Sequence, residues 1–195
     1  DLDLLGSGTI ITNAVTFINT GILTIGDVAG DIITFTNDVI AIVPSALNIA
    51  GTIAATTGAS VITLGDADTA VAVTASASIG GAATGLIDMG DVTLADGATL
   101  TVGTGIANAI NLDAVTGTAA GTTSNLIINT TGAVAVAEAV GAIDIGTVTI
   151  TNSGGTIFSD AVTTATSVVL TDTTDAANIT FTGALITPTL TTAAQ

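Results

Sequence analysis

The chain has 195 residues, with no Lys, Arg or His against 16 acidic residues, for a formal net charge of −16. That balance rules out ion pairs between side chains, catalysis by a His or Lys base, and neutralisation of nucleic-acid phosphates. Hydrophobic residues reach 48% and aromatic residues only 2%, which is too apolar for a disordered chain and too poor in rings for the aromatic girdles of a membrane barrel.

Alternation of apolar and polar side chains carries the secondary-structure reading. From the amino end, Ile11 to Phe17 alternates, followed by Ile33-Thr34-Phe35-Thr36. Val39 to Gly51 is the most apolar stretch. Pro44, Ser45 and Asn48 interrupt it, so it falls short of the ~18 apolar residues a membrane-spanning helix needs. Short strands are expected at Ile62-Thr63-Leu64, Val71-Ala72-Val73 and Val92-Thr93-Leu94. Asp96-Gly97 reads as a turn before Ala98-Thr99-Leu100-Thr101-Val102. Further strands are expected at Leu126-Ile127-Ile128, Ile143-Asp144-Ile145, Val148-Thr149-Ile150-Thr151 and Ile179-Thr180-Phe181-Thr182. Ala133 to Val140 also alternates, and it would carry Glu138 on the same side as Val134, Val136 and Val140. A carboxylate in that core has no cation to pair with, so the strand is expected to end at Ala137. No window sustains an amphipathic helical pattern.

An apolar–x–apolar–Gly–Asp/Thr phrase recurs, with its glycine at Gly26, Gly65, Gly90, Gly103 and Gly146. A second phrase ends strands with Asn or Gly, as in Val15 to Asn19, Ile33 to Asn37, Val148 to Asn152 and Ile179 to Gly183. The glycines of the first phrase lie 39, 25, 13 and 43 residues apart, so no rigid repeat length holds. Short strands at roughly even spacing predict an all-β fold. A sandwich has to fill a gap of about 10 Å between its sheets and normally uses aromatic residues to do so. Here the apolar mass is Val, Ile, Leu and Ala. The expectation is therefore a single-domain β-solenoid (β-helix) over residues 1–195, with a small aliphatic core and ~20–25 residues per coil. The alternative is a β-sandwich of the pilin-like, jelly-roll kind.

The phrase Val92-Thr93-Leu94-Ala95-Asp96-Gly97-Ala98-Thr99-Leu100-Thr101-Val102-Gly103 resembles the β-solenoid passengers of bacterial autotransporter and filamentous-haemagglutinin-type surface proteins. It is also similar in style to crystalline surface-layer proteins built on calcium-bound solenoids. The Gly-Gly-x-Gly-x-Asp nonapeptide of calcium-binding repeat toxins is absent, because Gly80-Gly81 lacks the residues that should follow. The resemblance implies an exported protein with a structural or adhesive role.

Carboxylates come in near pairs: Asp1/Asp3, Asp27/Asp31, Asp66/Asp68, Asp88/Asp91 and Asp172/Asp175. Calcium takes about six to eight oxygens, and turn carbonyls beside Asp supply several of them. Asp27, Asp31, Asp66, Asp68, Asp88 and Asp91 are the candidate ligands, and Ca²⁺ is the one candidate cofactor. The competing reading is that Asp is a good turn residue. Thr-x-Thr pairs at Thr34/Thr36, Thr99/Thr101, Thr149/Thr151, Thr171/Thr173, Thr180/Thr182 and Thr187/Thr189 raise ice binding as a minor alternative. Asn129-Thr130-Thr131 and Asn178-Ile179-Thr180 fit the N-glycosylation pattern. No Cys, His, Lys or Tyr is present, so no activated nucleophile can be assembled and the chain is not expected to be an enzyme.

The absence of tryptic sites, together with a chain that begins at Asp1 rather than Met, suggests a processed protein at the cell surface or outside the cell. The leading expectation is an extracellular structural protein that self-assembles into a filament or surface layer through strand edges. Its partners would be copies of itself, or a host or neighbouring cell surface, with no nucleic acid and no membrane span. The rivals are an adhesin or passenger fragment acting as a rigid spacer, and a pilin-like subunit that donates Ile11 to Phe17 to a neighbour.

Overall fold

Every pair of hydrogen-bonded strands is parallel, and that arrangement forces the chain to travel around a closed path before it lays a new strand beside an earlier one. The structure, a computed structural model, describes residues 1–119, 121–171 and 177–193. Among these residues there is no helix. The path is a β-solenoid with three faces per coil. The Asp172/Asp175 pair and Thr173 lie outside the described residues.

Each face has its own interior ladder. On the first face Leu2, Leu23, Leu47, Val71, Val92, Val115, Val140, Val162 and Leu185 stack in register. On the second, Thr9, Ile33, Ile53, Ile79, Val102, Ile128, Ile150, Leu170 and Thr192 do the same. The third is an eight-stranded parallel sheet whose rungs run Val15, Val39, Ile62, Ile87, Ile110, Val134, Thr156 and Ile179. The three ladders meet in one continuous aliphatic core. The two-sheet sandwich is not the arrangement the chain adopts.

The interior is narrow, and this explains the composition. Rings enter it only near the two ends, where Phe17 meets Phe35 edge-on at 6.4 Å and Phe158 stacks on Phe181 at 4.9 Å. The corners are held by polar side chains that bond the backbone of the preceding coil. Buried Asn108 donates through Nδ2 to the carbonyls of Ala83 (2.8 Å) and Gly85 (2.7 Å), and Ser124 donates to Ala95 O at 2.8 Å. Such bonds satisfy carbonyls that a sharp corner turns away from the ladder. They do the joining that ion pairs cannot do in this chain.

Coil length varies with the corners. Ile33 to Ile53 is a step of 20 residues, and Ile53 to Ile79 a step of 26. Ala46–Ala55 and Val71–Gly81 are long strands that carry the chain from the first face around to the second. Elsewhere a loop breaks that corner, as at residues 26–31. Two local expectations are settled here. The strand beginning at Val134 ends at Val136, and Glu138 is exposed. Ile143-Asp144-Ile145 is not a strand: Asp144 has φ of 47° and Ile143 is exposed. That triplet turns the corner from the first face to the second, and Ile145 opens the next strand.

Candidate functional surface

Four glycines of the repeated phrase mark strand ends, spread over all three faces, whereas the fifth, Gly146, lies inside the strand Ile145–Asn152. Gly26 closes a first-face strand, Gly65 and Gly90 close third-face strands, and Gly103 closes a second-face strand. This accounts for the irregular spacing. Only Gly65 and Gly90 occupy equivalent places, one coil apart. Gly103, with φ of 88°, shows why glycine is needed: a Cβ there would sit 2.2 Å from Asn129 O in the next coil.

The residues after these glycines separate into two places. Asp27 and Asp31 lie in the loop between the first and second faces. There Asp31 Oδ2 accepts the backbone N–H of Asp27 at 2.9 Å and of Val28 at 3.2 Å. Those donors hold the Asp31 carboxyl below the usual carboxylate range. Asp66, Asp68, Asp88 and Asp91 lie on or beside the edge between the third face and the first. Asp66 Oδ1 accepts the N–H of Asp68 (3.0 Å) and of Thr69 (2.9 Å), which closes an Asx turn. Asp91 Oδ1 accepts the Ala114 N–H of the following coil at 3.2 Å. Asp88 projects from the third face between Thr63 and Asn111.

Asp113 joins this edge, although the sequence reading did not single it out. Asp66, Asp88 and Asp113 line one shallow groove together with Thr63 and Ala67. Burial, then the charges of Asp91 and Asp88, push the Asp113 carboxyl above its ordinary value. Among the described residues no three carboxylates gather into a group that could hold a metal ion. The signal that could have found Asp113 is positional, since it ends the third-face strand after Leu112 much as Asp91 follows Met89 and Gly90.

The acidic edge continues along the rod. Asp66, Asp91, Asp113, Glu138 and Asp160 each follow a successive third-face strand. This places one carboxylate per coil over five coils, with coils about 4.8 Å apart. A smaller acidic margin, comprising Asp27, Asp31, Asp96 and Asp144, borders the second face on its first-face side.

The second face itself differs. One outward row runs Thr52, Ser78, Thr101, Ile127, Thr149, Val169 and Thr191 in register. Two residues earlier along the strands, Thr99, Asn125, Thr147, Ser167 and Thr189 form a second row. Neither row contains a charge. The Thr99/Thr101 and Thr149/Thr151 pairs fall on this face, whereas Thr180/Thr182 belongs to the third. Of the two glycosylation-pattern asparagines, Asn178 is exposed and Asn129 half-buried.

At both ends of the described coils the ladders are open. Leu2 is 39% exposed and Leu190 49%, against 0% for Leu23, Leu47, Leu100 and Leu126 within the rod. No protein-family model, curated protein or solved structure matches the chain. The class of protein that can be stated is the one the topology defines, an all-β parallel solenoid.

Proposed function

We propose that this chain is an extracellular structural protein that joins copies of itself into a filament or surface layer by continuing its coils end to end. One observation supports the reading most strongly. Every coil repeats the same in-register aliphatic rungs, and such a rung is satisfied by any further parallel coil stacked on it. A second copy brings the same small aliphatic ladders at the same spacing. The uniform interior, the lack of any activated nucleophile and the absence of tryptic sites favour a durable, inert rod over an enzyme.

In this reading the −16 charge is the opposing force. Salt or divalent cations screen it. Calcium takes the role of counterion along the edge that carries Asp66, Asp68, Asp88 and Asp91, and at the Asp27/Asp31 margin.

Electron microscopy of the purified protein tests the proposal. Rods whose lengths are multiples of a ~40 Å unit are expected, longer in calcium and shorter in chelator. Particles that stay at one unit length at every protein, salt and calcium concentration would sink it. Removing residues 1–20 strips the first coil and is expected to shorten the unit while leaving polymerisation intact. Abolished polymerisation would instead point to strand donation by Ile11 to Phe17.

A further inference from the structure

We propose that the second face is a homodimer interface, at which two copies pair side by side with their rods parallel. The pairing deepens the self-assembly reading but uses a different surface from the open ends.

The argument is one of charge. The chain contains no cation-bearing side chain, so two copies attract only where carboxylates stay out of the contact. The third face carries Asp88, and its edge with the first face carries the five-coil acidic column. Asp3 projects from the first face. The outward rows of the second face hold Thr, Ser, Asn and the aliphatic residues Ile127 and Val169, with exposed Ile32 continuing the first row past Thr52, and not a single acid.

Size permits it as well. Seven coils at ~4.8 Å by about five residues at ~3.3 Å give roughly 550 Å² per copy. The total of ~1,100 Å² is just under the ~1,200–2,000 Å² of stable specific interfaces and above the ~1,000 Å² that a biological contact should clear, as a weak, reversible pairing requires. In-register parallel strands with short side chains also interdigitate closely, as in dry zipper interfaces.

Charge sets the orientation too. The first-face margin of the second face carries Asp27, Asp31, Asp96 and Asp144, while the opposite margin carries only Asp38 among the described residues. A two-fold axis along the rod lays each acidic margin over the partner's nearly neutral one. An axis across the rod would superpose the two acidic margins. The contact is therefore isologous and parallel, with each coil facing its own counterpart.

Because the chain lacks cysteine, single replacements report contact directly. Thr149→Cys, near the middle of the face, is expected to form a disulfide-linked dimer of twice 18.6 kDa under mild oxidation. Thr93→Cys, exposed on the first face, is expected to remain monomeric. In sedimentation runs, T101D/T149D is expected to lose the paired species that the unaltered protein shows, and T93D to keep it. Far-UV circular dichroism verifies the coils in each variant. If T101D/T149D unfolds, the cysteine pair alone decides. Absence of the T149C dimer, or equal cross-linking of T93C, overturns the proposal. Filaments one rod wide without T149C dimers would refute side-by-side pairing and leave end-to-end growth standing. T149C dimers that never lengthen would do the reverse.

Discussion

The inner coils and the end coils are built from the same residue types, yet they differ in what a side chain is worth. Leu126 has a ladder neighbour above and below, Leu100 and Val148, and is fully buried. Leu190 stacks on Val168 alone and is 49% exposed. In a solenoid each coil touches only its neighbours, so stability accumulates rung by rung and the end rungs collect half the contact. Among the described coils the outer rungs are therefore weakly held and the inner ones rigid.

The sharpest way to break that comparison is to open the interior. Phe158→Ala removes a ring that is fully buried and stacked on Phe181. It is expected to cost ~3–5 kcal/mol, read as a shift in denaturant midpoint. Leu126→Ala should cost ~2–5 kcal/mol, and Leu190→Ala under ~1 kcal/mol, because the latter site is already half in solvent. Equal losses at 126 and 190 would show that the ends are covered in solution. Gly141→Ala tests a corner between rungs: φ is 78° and the new Cβ would lie 1.8 Å from Thr163 O. A loss of at least ~2 kcal/mol is expected, since backbone has to move.

Smaller effects come from two carboxyls of opposite sign. Asp31, near one end, has its folded pKa lowered by the Asp27 and Val28 N–H groups. Its contribution is present above the ordinary value of 3.8 and is lost as pH falls through the lowered one. Asp113, in the middle, has its folded pKa raised by burial and by Asp91 and Asp88. The folded state binds that proton more tightly than the unfolded chain does. The associated stability is therefore full below 3.8 and is lost as pH rises through the raised value. Asp113→Asn is expected to raise the melting temperature at pH 7 and to leave it unchanged near pH 3. A drop at pH 7 would mean that the carboxylate has a favourable partner, such as a bound cation.

Much of this fold could be read from the chain. The alternation at Val92 to Leu94, Thr99 to Val102 and Ile62 to Leu64 survives as strands with their apolar members inside. The expected end of the strand before Glu138 follows from the cost of an unpaired carboxylate in an aliphatic interior. Ile143 to Ile145 misled because a three-residue alternation does not distinguish a strand from a corner. Asp144 adopts the left-handed conformation that Asp tolerates better than most residues. The coil length stayed hidden for a related reason, because the same short phrase ends strands on every face.

Sequence alone determined that this protein is a β chain without internal ion pairs, since the absence of Lys, Arg and His and the period of two are properties of the residues themselves. Which carboxylates share an edge was decided only by tertiary structure. Asp66, Asp91 and Asp113 are separated along the chain by whole coils of 22 to 25 residues, and parallel winding brings them onto three successive coils, spaced ~4.8 Å per coil. The same winding left the second face neutral. Its rows draw one or two residues from each coil, and corner lengths varying from coil to coil erase that pattern from the linear order.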